Sequence, residues 1–127
     1  MNDATAAEAP RFAPNIPAGK KGRFRTPTIL QMEATECGAA CLAMILARER
    51  RWIPLEEMRV ACGVSRDGSK ASNIIRAAKL HGLAAKGYRK EPDGLRDLPF
   101  PMIIFWNFNH FVVLEGMDFR TGTAWIN

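Results

Sequence analysis

Gln31-Met32-Glu33-Ala34-Thr35-Glu36-Cys37-Gly38-Ala39-Ala40-Cys41, running into Leu42-Ala43-Met44-Ile45-Leu46, is the stretch on which the sequence turns. It puts a thiol where a loop becomes a helix, with a glycine beside it and a glutamine upstream. The residues that follow are good helix formers, and Thr35 suits an N-cap. Cys37 is therefore expected in the first turn of a helix over residues 35–48. Unpaired backbone N–H groups and the positive end of the helix dipole favour an anion there. Helix N-termini or a nearby cation lower a thiol from its ordinary pKa of about 8.5 to roughly 3.5–7.5. Gly38 is read as clearing the approach of a substrate carbonyl. The competing reading is that a cysteine heading an Ala-rich helix is simply a small buried apolar residue. Chemistry at Cys37 depends on a base supplied from elsewhere.

Working outward, Ala40, Leu42, Met44, Ile45 and Leu46 nearly encircle this helix, which predicts a buried central element. A second helix is expected from Pro54 to Cys62, with proline near its first turn and Gly63 as its stop. Leu55, Met58 and Cys62 recur at helical spacing, so Cys62 reads as core packing. Val64 to Ser69 is a turn, with Ser69 capping a third helix from Lys70 to His81 that Gly82 ends. His81 falls at the C-terminus of that helix, where the dipole accounts for it.

From Leu83 the pattern becomes extended. Ala84 to Arg89 is a candidate strand, and Glu91 to Leu98 a loop with one helical turn. Met102-Ile103-Ile104-Phe105-Trp106 is strongly β-prone. Asn107 to Asn109 form a turn, His110 to Gly116 the returning strand, and Ala124 to Asn127 a further strand after a second turn. Helices first and an antiparallel sheet second make an α+β arrangement.

The chain has 127 residues, 47% apolar and 24% charged, which suits one ordinary globular domain. Of its net charge of +5, most of the excess lies in residues 1–25, where Arg11, Lys20, Lys21, Arg23 and Arg25 outnumber Asp3 and Glu8. That segment is rich in Ala, Pro and Gly and lacks hydrophobic periodicity, so it reads as a disordered basic lead-in. Its cluster from Lys20 to Arg25 suits at most an acidic membrane surface. Nucleic-acid binding is disfavoured, because the basic excess is not on the folded part. The start has no basic region followed by an apolar run, so it is not a secretory signal. Three cysteines, Cys37, Cys41 and Cys62, read as free thiols in a reducing compartment. Two histidines and no CxxC spacing argue against a metal site, and no cofactor motif occurs. No apolar run approaches the ~20 residues of a membrane-spanning helix.

His110 opens a strand directly after a polar turn and is the candidate base. If the first helix packs on the later sheet, thiol and imidazole meet at its rim as a thiolate–imidazolium pair. Gln31 and the Cys37 backbone N–H are then candidate donors to a developing oxyanion, one such donor being worth about 2.7–4 kcal/mol.

The blocks from Leu30 to Met44, from Cys62 to Ser69 and from Asn109 to Gly116 together resemble the bacteriocin-processing peptidase domain. That papain-like cysteine peptidase domain stands at the N-terminus of ABC exporters that remove double-glycine leader peptides. The phrases Arg66 to Asn73 and Phe105 to His110 are closest to exporters of the nitrile-hydratase-type-leader (NHLP) class. The resemblance covers residues 26–127. It implies Cys37 as nucleophile, His110 as general base and Gln31 as oxyanion donor, with no catalytic role for Cys41. It implies as partners a precursor's leader peptide and the transmembrane and ATPase domains of an exporter. The domain would then lie on the cytoplasmic side of a bacterial inner membrane. It also implies an apolar surface for an amphipathic leader helix, which Trp106 and Phe108 are candidates to line, though both read equally well as core or edge residues.

The family places an aspartate, usually followed by proline, at the end of the strand after the histidine strand. Here that strand runs into Asn127, so the domain is expected to be cut just before that residue and its activity lowered. Asn127 is the substitute for orienting His110, but as a terminal residue it is expected to fray. Asp118 falls in the wrong turn. The rival reading is a non-catalytic docking domain, against which the presence of both Cys37 and His110 argues.

Overall fold

A computed structural model describes residues 4–7, 23–106 and 110–127 of the chain. Among the described residues three α-helices follow a first short strand: α1 (Cys37–Arg48), α2 (Leu55–Ala61) and α3 (Ala71–Leu80). The sheet uses β1 (Ala4–Ala7), β2 (Ala85–Tyr88), β3 (Met102–Trp106), β4 (His110–Asp118) and β5 (Thr123–Ile126), in the spatial order β2-β1-β3-β4-β5. Each paired edge is antiparallel. This is the α+β, papain-like arrangement expected.

Alternation along the strands decides what each face covers. Ile103, Phe105, Phe111 and Val113 turn towards the helices and join α1, Met58, Cys62, Ile74 and Ala77 in the main core. Met102 and Leu114 turn the other way and pack with Leu95, Leu98 and Phe100 in a smaller one. The segment over that second face carries a 3-10 turn (Pro92–Asp97) and a cis Phe100–Pro101 bond.

α1 is the centre. Every residue from Cys37 to Ala47 is buried, as its nearly encircling apolar positions predict. Truncating a fully buried side chain such as Leu42 to Ala costs about 2–5 kcal/mol. The helix ends with Arg50 in the left-handed region at φ 64, which lets the Arg51 N–H reach the Leu46 carbonyl. Arg51 in turn donates from its guanidinium to the His81 carbonyl, tying the end of α1 to the end of α3. Gly63 and Gly82 end α2 and α3 with positive φ, as expected of helix stops.

Four local expectations are corrected. Thr35 does not cap α1: a 3-10 turn (Ala34–Glu36) leads directly into the helix, and the Glu36 carboxylate reaches back to accept the Glu33 N–H at 3.0 Å. Ser69 does not cap α3: Lys70 holds the N-cap position, and the Ser69 hydroxyl is buried with no partner among the described residues. Order begins before Thr26, because Arg23 and Phe24 are already hydrogen-bonded to β4. Within the segment read as a lead-in, Ala4–Ala7 form a strand between β2 and β3, using backbone groups that composition and periodicity do not reveal. The rest of 1–22 lies outside the described residues.

Candidate active site

Cys37 is the first residue of α1 and His110 the first of β4. Packing of α1 on β4 brings them to the same edge. The Phe111 backbone N–H, next along from His110, donates to Cys37 Sγ at 3.4 Å. A cavity of about 210 Å³ is lined by Gln31, Cys37, His110 and Asn127 together, with Thr28 to Leu30, Cys41 and Met44 completing its walls. The three residues singled out from sequence thus share one cavity, each delivered by a different element.

The thiols are not alike. Cys41 and Cys62 are deeply buried. Burial, then the neighbouring Cys37 and Cys62, push the Cys41 thiol far above its ordinary range. Burial alone pushes Cys62 up to about 11. Both are held as neutral thiols, which suits packing and not nucleophilic attack. Cys37 borders a second cavity as well, of about 440 Å³. That one is walled by Ala34, Thr35, Phe105, Phe111 and the turn from Arg66 to Ser69. The turn closes on itself through paired Ser65 and Gly68 backbone bonds, with Gly68 at φ 89. A Cβ at Gly68 would lie 3.9 Å from the Thr35 carbonyl, so the turn leans on the entry to α1.

Gly38 is also tightly packed. A Cβ built there would lie 2.7 Å from Ile74 Cδ1 and 3.4 Å from Phe111 Cδ2. The close packing of α1 on α3 and β4 is a second reason for glycine here, beside access for a substrate carbonyl. Gln31 is half-buried, and its Nε2 donates to the Glu33 carbonyl at 2.9 Å. An amide nitrogen carries two hydrogens. The Glu33 carbonyl therefore occupies one of the two amide hydrogens.

Asn127 does not fray. Its backbone N–H and carbonyl both pair with Val113, its Nδ2 donates to the Thr26 carbonyl and hydroxyl at 3.0 Å each, and its Oδ1 accepts from Thr28 at 3.1 Å. The side chain is engaged by the Thr26–Thr28 segment. His81, placed at a helix end on sequence, has its Nδ1 3.0 Å from the Ala77 carbonyl and lines neither cavity beside Cys37. Among the described residues no cluster of His, Cys, Asp and Glu has the arrangement of metal ligands. No helix among them is long and apolar enough to cross a membrane.

Sequence reasoning missed Glu115, although a lone carboxylate inside the apolar run of β4 was a signal. It is buried, and both its oxygens are taken by Arg23 and Thr26. Burial acts to raise its pKa, but bonds from the Thr26 N–H, from Arg23 and from the Thr26 hydroxyl outweigh it and hold the carboxyl below its ordinary value. On the outer face of the sheet, Leu95, Ile104, Trp106, Leu114, Met117 and Ile126 line an apolar groove of about 210 Å³. Trp106, 55% exposed, belongs to this groove and not to a core. Phe108 lies outside the described residues.

Comparison with known proteins follows the same lines. The colicin V secretion/processing ATP-binding protein CvaB of Escherichia coli is 41% identical over 90 residues, 71% of this chain and 13% of that protein. This chain thus spans about an eighth of the length of such a relative. The crystal structure of a double glycine motif protease from an AMS/PCAT transporter in complex with the leader peptide is 57% identical. It superposes with a TM-score of 0.79 over 88% of this chain and 79% of that one. The peptidase domain of Streptococcus ComA, a bi-functional ABC transporter involved in quorum sensing, shares the fold at a TM-score of 0.66 with 18% identity, over 81% of this chain and 86% of that one. The family described as Peptidase C39 matches residues 25–126, a span that takes in α1 and β4 with Gln31, Cys37 and His110, and this chain belongs to it.

Proposed function

We propose that this chain is the cysteine endopeptidase domain of an ABC exporter, and that it removes a double-glycine-type leader from a bacteriocin or similar ribosomal precursor. His110 takes the proton of Cys37, and the thiolate attacks the carbonyl of the residue before the cut. Gln31 donates its free amide hydrogen to the oxyanion, where one donor is worth about 2.7–4 kcal/mol. The tetrahedral intermediate collapses to a thioester as imidazolium protonates the departing amine. Water, deprotonated by His110, then frees the leader and restores the thiol.

The observation that carries this reading is the single cavity shared by Cys37, His110 and Gln31. Small residues before the cut suit its modest volume of about 210 Å³. The apolar groove of Ile104, Trp106, Met117 and Ile126 offers a seat for the apolar face of a leader helix. The double glycine motif protease, 57% identical, is itself held in complex with a leader peptide. Assignment to NHLP-class exporters rests on the phrases Arg66 to Asn73 and Phe105 to His110. Residence on the cytoplasmic face of the inner membrane follows from the exporter partnership.

The test is cleavage of a precursor peptide carrying a double-glycine leader. Cys37→Ser and His110→Ala are each expected to abolish product, and Gln31→Ala to lower kcat about 10²-fold. Unchanged cleavage by Cys37→Ser sinks the peptidase reading. Tight leader binding without any cleavage by the wild type would favour a docking domain instead.

A further inference from the structure

One buried charge is not used by this mechanism. Glu115 sits where the β4–β5 register slips between Leu114 and Gly116. Such a bulge adds a residue to one strand, removes its groups from the ladder and re-aims its side chain. Here the carbonyl and the carboxylate of Glu115 go to one place. The Glu115 carbonyl accepts the Phe24 N–H at 2.8 Å. Its Oε1 accepts Arg23 Nε at 2.7 Å, and its Oε2 accepts the Thr26 N–H at 2.6 Å and the Thr26 hydroxyl at 2.9 Å. A single residue thus holds the chain from Arg23 to Thr26 by four bonds.

That segment leads straight to the site. Asn127 takes over at Thr26 and Thr28, and Thr28, Ile29, Leu30 and Gln31 then form one wall of the cavity opposite Cys37. Phe24 and Ile29 add apolar packing against the two cores, and the hydrogen bonds set the position of the strap between them. Arg25, Thr28 and Leu30 are exposed, Leu30 at 79%. Burying a carboxylate costs several kcal/mol unless its bonds are complete, and a purely packing role would be served as well by an apolar residue. The complete bonding points to placement.

We infer that Glu115 is a positioning residue: from the β4 bulge it fixes the strap of residues 23–31 and so sets where the Gln31 amide stands relative to Cys37. This rests on the peptidase reading above. Glu115 touches no substrate and acts only through Gln31. It therefore affects the step in which the oxyanion forms, and not the binding of the leader in the outer groove.

A double-mutant cycle on precursor cleavage tests it. Glu115→Gln is expected to lower kcat about tenfold with KM within twofold, a fraction of the loss from deleting the donor itself. In a Gln31→Ala background the same change is expected to cost less than twofold, since nothing remains to be misplaced. Alkylation of Cys37 by iodoacetamide, which needs no oxyanion donor, is expected to stay within twofold of wild type. Equal losses in both backgrounds, or a loss confined to KM, overturn the inference. Thr26→Val, nearly isosteric, removes the hydroxyl shared by Glu115 and Asn127; it is read by the same criteria if Glu115→Gln does not fold. If the wild type cleaves no leader, or Cys37→Ser cleaves as well as it does, it is the peptidase reading that fails. A wild type that cleaves, with an additive cycle, removes only the role of Glu115.

Discussion

Adding one methyl group at Gly38 separates two explanations for that glycine. The added Cβ would stand 2.7 Å from Ile74 Cδ1, and contacts below about 3.4 Å must be relieved by movement. Ile74 is only 1% exposed, and Phe111 Cδ2 closes the other side at 3.4 Å. Ile74 has to shift to admit it, so Gly38→Ala is expected to cost about 1–3 kcal/mol of stability, the usual range for overpacking. Ile74→Val deletes the atom in conflict, and alone costs about 0.5–1.5 kcal/mol. The double variant is expected to be more stable than the two single effects predict together, by about 1–2 kcal/mol. Urea unfolding of the four proteins, followed by circular dichroism, measures this directly. Additive effects would show that the Ile74 contact is not what excludes a side chain. A Gly38→Ala protein with normal stability but impaired cleavage would restore the idea that the glycine clears a path for the substrate carbonyl.

Two further outcomes follow from the charged and ionisable groups. At pH 7 Cys62, pushed up to about 11, is ionised to only about 0.01%, and Cys41 is raised further still above its ordinary range. Iodoacetamide is therefore expected to modify Cys37 alone in the folded protein, with Cys41 and Cys62 labelled only after denaturation; mass spectrometry of peptides reads this, and comparable labelling of all three in the fold contradicts it. For Glu115, the folded carboxyl lies below its unfolded value, so its stabilising effect is complete above about pH 4.5 and fades as pH falls through the folded value. The stability gap between wild type and Glu115→Gln is accordingly expected to shrink on acidification, whereas a gap that widens below pH 4 contradicts the assigned direction.

The helices and the β3–β4 hairpin were legible because their apolar residues repeat at helical spacing or run as β-branched and aromatic stretches. That Cys37 and His110 come to one cavity was legible from the type of residue at two element starts, reinforced by the family resemblance. What escaped was set by contacts distant in sequence. Nothing near Gly38 announces Ile74, and nothing near Glu115 announces a register slip that frees its carbonyl for Phe24. The Glu36 carboxylate that closes the 3-10 turn was visible as spacing, but Thr35 is the commoner capping type and drew the assignment. Ala4–Ala7 escaped because short small-residue strands carry no periodic signal.

The strap and α1 differ in how firmly they are bound, and this bears on heating. Breaking α1 loose means exposing the main core, whereas the strap sets only the side chains of Phe24 and Ile29 against the cores beside its polar bonds to Glu115 and Asn127. Segments of the second kind open at much lower free energy than the body they lie on. Warming would then release the Gln31 wall while the sulfur stays seated, and turnover would fade at temperatures where the helices are still intact.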